Sequence, residues 1–211
     1  MTDPPTTSLH PAPVLPEPVT VGSRSVEEVL RHRRSVREYA DAALDLAELA
    51  QLLWAAQGIT SPDGFRTTPS AGALYPLEVF AACDSVEGVA PGIYRYLPAG
   101  RAGRHELARV APGTHGPRLR ELSTTQEFIG LVPLNLIFAA RPGAMNEKYG
   151  ERLAERFIAM ELGHAAQNVH LQAEALGLGS VAIGAMDEER VRALLKTDAR
   201  PLYMVSVGRR R

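Results

Sequence analysis

Between residues 77 and 140 the apolar positions fall in short blocks, Leu77–Cys83, Gly92–Leu97, His105–Val110 and Leu134–Ala140. Turn residues such as Pro91-Gly92 and the stretch from Pro98 to Gly103 separate them. Blocks of this length predict strands, the first three forming an antiparallel meander. From Glu147 to Leu176 the pattern changes to three- and four-residue steps through Ala154, Ile158, Leu162, Ala165, Val169, Ala173 and Leu176, with Phe157, Met160 and Leu171 on neighbouring faces. That period predicts a helix, and its broad apolar arc predicts a central, nearly enclosed one. Strands are expected again at Ser180–Ile183 and Tyr203–Val207, and helices over Gly116 to about Thr124 and over Asp187–Leu195.

Two earlier helices announce themselves by their starts. Ser25 with Glu28, and Asp45 with Glu48, have capping-box spacing, in which side chains at each end satisfy exposed amides of the same turn. The second helix runs through Leu49, Leu52, Leu53 and Ala56 and stops near Gly58. Helices around a mainly antiparallel sheet define an α+β fold. Residues 1–22 contain Pro4, Pro5, Pro11, Pro13, Pro16 and Pro18, which remove amide donors and block regular helix. They read as an arm, mobile or laid across a partner, ahead of a single domain over 23–211.

Composition narrows the function classes. The 211 residues are 45% hydrophobic and 22% charged, enough for a proper core. A formal net charge of −1 supplies no overall positive field, so nucleic acid is not an expected partner. The sole cysteine, Cys83, lies inside an apolar block, which excludes an intramolecular disulfide and a cysteine-based metal cluster and favours a buried structural thiol. No apolar run reaches membrane-spanning length and no basic-then-apolar leader opens the chain, so a cytoplasmic protein is expected.

Four segments carry groups suited to chemistry. Arg31-His32-Arg33-Arg34-Ser35-Val36-Arg37 puts four arginines and a hydroxyl into seven residues; it reads equally as an anion cradle and as a solvated basic helix end. Pro69-Ser70-Ala71-Gly72-Ala73 is a run of small residues where backbone can approach a flat ligand, or an ordinary loop. Glu161 and His164 share a helical face, and without a second such motif they read as an interior hydrogen-bonded pair or a dimer contact rather than a metal site. Lys148-Tyr149 places an amine beside a phenol, a surface pair unless burial or a neighbour tunes the lysine. The glycines of Gly177-Leu178-Gly179-Ser180 follow a helix and precede a strand, the reverse of a dinucleotide fingerprint.

Taken in order, Arg33-Arg34-Ser35-Val36-Arg37-Glu38-Tyr39, Leu52 to Gly58, Pro69 to Pro76 and Gly177 to Ser180 resemble the nitroreductase superfamily. Lys148-Tyr149-Gly150-Glu151-Arg152 and Glu161-Leu162-Gly163-His164-Ala165-Ala166-Gln167-Asn168 look like its SagB-type azoline dehydrogenase branch. The resemblance implies an FMN-dependent nitroreductase-like fold in a homodimer, with a flavin site shared between two chains. Arg33, Arg34, Ser35 and Arg37 would lie near the phosphate and ribityl chain, with Arg209 also reaching the phosphate. Ile183 and Gly184 would line the ring, and Ser70, Ala71 and Gly72 would come from the other subunit. Lys148 and Tyr149 become the catalytic pair that removes or relays a substrate proton. The implied reaction is dehydrogenation of a thiazoline or oxazoline, small or peptide- or carrier-bound, with hydride passing to flavin, reoxidation by oxygen, and a biosynthetic partner protein possible. Ala73 stands where ordinary nitroreductases often carry asparagine, which leans away from generic nitro reduction. The alternatives are an NAD(P)H-dependent nitro or quinone reductase on the same scaffold and a flavin-binding protein without turnover.

Overall fold

Side chains alternate across the central strand β1 (Leu77–Cys83). Leu77, Val79, Ala81 and Cys83 join one buried cluster, whereas Phe80 and Ala82 join another on the opposite face. The sheet is therefore covered on both sides, and its neighbour β4 (Leu134–Ala140) is buried along its whole length. The computed structural model describes residues 13–100, 104–123 and 126–211. Four further strands, β2 (Gly92–Leu97), β3 (Glu106–Pro112), β5 (Leu178–Ile183) and β6 (Arg200–Arg209), complete a six-stranded sheet in the order β3-β2-β1-β4-β6-β5. Every pairing is antiparallel. Helices α2 (Leu46–Gln57) and α5 (Glu151–Ala175) cover one face. Helices α3 (Gly116–Glu121) and α6 (Glu188–Leu195) cover the other, and α1 (Val26–His32) packs on α5.

The two capping boxes form unequally. Asp45 and Glu48 bond reciprocally, whereas Ser25 caps Glu28 N but the Glu28 carboxylate turns to Arg24 at 2.8 Å. The long helix expected from about Glu147 is broken near its start. Gly150 adopts φ +74, ending a separate helix α4 (Gly143–Tyr149) before α5 begins. Glycine takes this backbone without the penalty of a Cβ. The expected enclosure of α5 is corrected too. Ala154, Ile158, Glu161 and Ala165 are buried, but Leu153, Met160 and His164 are exposed. Cys83 is fully buried, and burial pushes its thiol well above the ordinary range.

Residues 13–22 lie on their own domain. Leu15 is buried, Val14 bridges to Glu106 of β3, and Pro16 O meets His105 Nε2 at 2.7 Å. Val19 and the Gln51 amide exchange two hydrogen bonds of 2.8 and 2.9 Å. Residues 1–12 of the expected arm, and Thr124 of the helix expected after Gly116, lie outside the described residues. No described helix is long and apolar enough to cross a membrane.

Candidate active site

Only the start of the arginine-rich segment is a helix end, with Arg31 and His32 in the last turn of α1. Helix α1 stops at His32, and Arg33 to Arg37 run extended beside the start of β5, with Ser35 bridging Ser180 in parallel and Val36 N donating to Ser180 O at 3.0 Å. Several arginines elsewhere pair with an acidic side chain, among them Arg24, Arg95, Arg141, Arg200 and Arg210. Among the described residues the side chains of Arg33, Ser35 and Arg37 have neither hydrogen bond nor ion pair. Two unpaired guanidinium groups flanking a hydroxyl form a donor set suited to an anion. Arg34 instead bonds the carbonyls of Arg31 and Arg33 at 3.0 and 2.7 Å. Arg209 is also occupied: its fork grips both Glu48 oxygens at 3.0 Å, and its Nε reaches Ala43 O. A phosphate at Arg209 would have to replace Glu48.

Behind this cradle stands His170, a residue that sequence reading did not single out. It is buried, its Nδ1 lies 2.7 Å from Ser180 Oγ, and burial, reinforced by the nearby Arg33 charge, lowers its pKa to about 4. The neutral ring adds no second positive charge against Arg33. The only signal for it was its place in the long helix.

At the far end of β5, Ile183 buries its side chain in the core with Val191, Leu195 and Met204, leaving only its backbone to meet a ligand. Gly184 follows it and is exposed. From Ser180 to Ile183 the strand advances ~10 Å, so the segment paired with Ser180 and the exposed Gly184 lie toward opposite ends of β5.

The second group gathers around residues 70–75. Gly72, Ala73 and Tyr75 all have positive φ, of +62, +53 and +47. Two of these are not glycine, and such strained backbone concentrates at functional sites. Ser70 Oγ accepts from Tyr75 N at 2.9 Å, and Ala73 N donates to Ser70 O at 3.1 Å, which closes the turn. Ala71 packs against the core on α2's side of the sheet. Against the outer side of Gly72 come Lys148 and Tyr149, from the last turn of α4. A Cβ on Gly72 would meet Lys148 Nζ and Tyr149 Oη, each at 2.6 Å. The Tyr149 ring is fixed edge-on against Phe157 at 5.0 Å, and Lys148 Nζ lies 5.5 Å from the Tyr149 ring centroid. Thus Gly72, Lys148 and Tyr149, far apart in sequence, form one cluster with an amine and a phenol at its surface.

Helix α5 holds both groups, on opposite faces. Glu161, with Asn168 and Gln172 along the same stripe, faces α2 and the segment leading to residue 70. His170 faces β5 and the Arg33 segment. Nine residues separate Glu161 from His170, about two and a half turns and ~13 Å of rise, so within one chain the two groups diverge. The interior pair expected of Glu161 and His164 does not form, because His164 is exposed.

The nitroreductase family model matches residues 30–209. The chain belongs to the nitroreductase family. A nitroreductase of Methanocaldococcus jannaschii, so named, is 43% identical over 185 residues, which is 88% of this chain and 91% of that one. A nitroreductase-named structure from Ralstonia eutropha superposes with a TM-score of 0.75 at 29% identity, covering 100% of this chain and 99% of that one. A chain of the Escherichia coli microcin synthetase McbBCD complex with truncated pro-MccB17 bound gives 0.73 at 28% identity, over 90% of this chain and 74% of that one. Some family members are longer: this chain spans 38% of one from Anabaena variabilis, with a TM-score of 0.75. As a nitroreductase-family protein the chain is an oxidoreductase with the α+β fold expected of it.

Proposed function

We propose that this nitroreductase-family chain is an FMN-dependent oxidoreductase that dehydrogenates a thiazoline or oxazoline, with its sites completed in a homodimer. The observation that carries the substrate class is the convergence of Lys148 Nζ and Tyr149 Oη on Gly72. Dehydrogenating an azoline ring removes a proton from carbon and a hydride equivalent from its neighbour. The amine and phenol form a pair that can take and pass on that proton, whereas reduction of a nitro group or quinone takes up protons and removes none from carbon. Flavin, when bound, supplies the hydride acceptor.

The residues present fit that cofactor. Arg33, Ser35 and Arg37 would hold the phosphate and ribityl hydroxyls, Arg34 and Arg209 lying at the margin with other partners. The exposed backbone at Ile183 and Gly184 would lie along the ring, and Ser70, Ala71 and Gly72 would close the opposite side. Because the two groups diverge across α5, a second copy is the simplest source of the closing loop. A microcin synthetase chain of the same fold works within a multiprotein complex, which makes a peptide or carrier substrate delivered by a partner protein part of this reading.

The deciding experiment begins with the visible spectrum and identification of the released chromophore. Anaerobic mixing with a thiazoline-containing peptide or with NADPH then reads which one bleaches the flavin. Azoline bleaching followed by recovery in air is expected. NADPH bleaching with no azoline response would favour the nitro or quinone reductase, and FMN that no donor reduces would leave a binding protein.

A further inference from the structure

One buried acid next to the 70–75 turn has no part in the chemistry above. Glu161 is 1% exposed. Its Oε1 accepts from Gln57 Nε2 at 3.3 Å, and the equally buried Gln57 accepts at Oε1 from Arg66 Nη1 at 2.9 Å. Arg66 lies 4.5 Å over the Tyr75 ring, and its backbone N donates to Tyr75 Oη at 3.2 Å. This polar chain runs from α5 through α2 to the strained turn. Its last atom, Glu161 Oε2, is buried and makes no hydrogen bond among the described residues, although the Ser70 hydroxyl is near enough to act on the carboxyl.

A carboxylate oxygen buried without a donor is unfavourable, and protonation removes the charge and turns the oxygen into a donor. Ser70 Oγ has an acceptor site left after taking the Tyr75 N–H, since a hydroxyl offers two lone pairs. With both lone pairs filled from inside the protein, its own hydrogen has to point away from them. We propose that Glu161 is a positioning residue: a neutral carboxylic acid that donates from Oε2 to Ser70 Oγ and thereby turns the Ser70 hydroxyl proton outward, as a donor to an acceptor atom of the ligand the loop closes over. The ligand's identity as FMN rests on the function proposed above.

Burial pushes the Glu161 pKa upward, against the hydrogen bonds of Ser70 and Gln57 and the charge of Arg66, which favour the ionised form. These are the polar and charged groups that face it, from α2 and from the segment ahead of β1; Tyr75 and Tyr96 act in turn on Arg66.

Infrared spectroscopy of the whole protein, with and without FMN, tests the protonation directly. The wild-type minus E161Q difference at neutral pH is expected to contain the carbonyl band of a protonated carboxylic acid. E161Q keeps a donor and an acceptor in place and is expected to bind FMN as the wild type does, while the wild type alone weakens as alkaline pH ionises Glu161. E161A, lacking the donor, is expected to bind roughly tenfold more weakly, the worth of one hydrogen bond in a buried site. A difference spectrum with only ionised-carboxylate bands, or E161Q weakening as much as E161A, overturns the proposal. Failure of the wild type to bind any FMN would defeat the cofactor reading instead, leaving the infrared band to judge Glu161 by itself.

Discussion

Gly72 and Lys148 are so close that a Cβ on the glycine would stand 2.6 Å from the lysine Nζ. Together with φ +62 at Gly72, this makes Gly72→Ala a substitution that must shift the amine, the phenol or the turn. The protein is expected to stay folded, losing ~1–2 kcal/mol by the cost of a left-handed L-residue. Turnover of an azoline should fall at least about tenfold as the proton-handling pair moves. Circular dichroism, thermal melts and turnover on one preparation check both parts.

Lys148 and Tyr149 should be separable from cofactor binding. Lys148→Ala and Tyr149→Phe are expected to keep the flavin spectrum and to slow flavin reduction by an azoline roughly 10²–10⁴-fold, the usual scale of general acid–base catalysis. The double variant should lose little more than the worse single one if the residues act as a unit. Stopped-flow reduction under anaerobic conditions measures all three, and unchanged rates in Lys148→Ala would end the assignment.

Arg33 and Arg37 are expected to recognise a phosphate. Replacing either with alanine should weaken FMN by about 1.5–3 kcal/mol, roughly ten- to a hundredfold, as for hydrogen bonds to charged groups. Riboflavin, which lacks the phosphate, should bind the variants and the wild type alike. Fluorescence titration of both ligands reads the difference, and equal losses for the two would place these arginines elsewhere.

His170 links stability to pH. Its native pKa of about 4 lies below the ordinary 6.5, chiefly through burial and secondarily through Arg33. The native state therefore binds fewer protons than the unfolded chain over this interval. The His170 contribution is complete above about pH 6.5 and is lost as the pH falls through about 4, on the order of 3 kcal/mol. Glu161, raised by burial, acts with the opposite sign: its contribution is complete below its ordinary 4.5 and is lost as the pH rises through the native value. Denaturant midpoints of wild type and His170→Gln from pH 7 to 4 separate the two, since the variant should lose the acid-side slope due to His170. Parallel slopes would contradict a buried neutral histidine.

The sheet was the most legible part of the chain. Leu77–Cys83, Gly92–Leu97 and Leu134–Ala140 form strands with the bounds the apolar blocks suggest, because buried strands display their composition directly. The break at Gly150 was hidden, since the repeating apolar positions begin only at Ala154 and leave the start of the helix unmarked, so only the backbone angle reveals two helices. Arg33 to Arg37 looked equally like a helix end or a cradle, and tertiary pairing with Ser180 decides that they are extended. Glu161 invited comparison with His164, its neighbour in the helix, whereas its partner Gln57 lies 104 residues away. Local spacing carries no information about such a contact. The approach of Gly72 to Lys148 and Tyr149 was illegible for the same reason, although each residue stood within a segment of visible chemical interest.

The bridges of Val14 to Glu106 and of Ser35 to Ser180 sit at the two outermost strands, β3 and β5. Crossing six strands means five gaps of ~4.8 Å, about 24 Å, well within the reach of the chain between residues 14 and 35. This stretch thus works as a girdle that engages both margins of the sheet. Exposed margins are where foreign strands add and aggregates begin. The proline-rich start of the girdle, poor in amide hydrogens, can occupy such a margin while offering little to the next molecule. The same short stretch therefore carries the arginines of residues 33–37 to one edge of the sheet and covers part of the other edge.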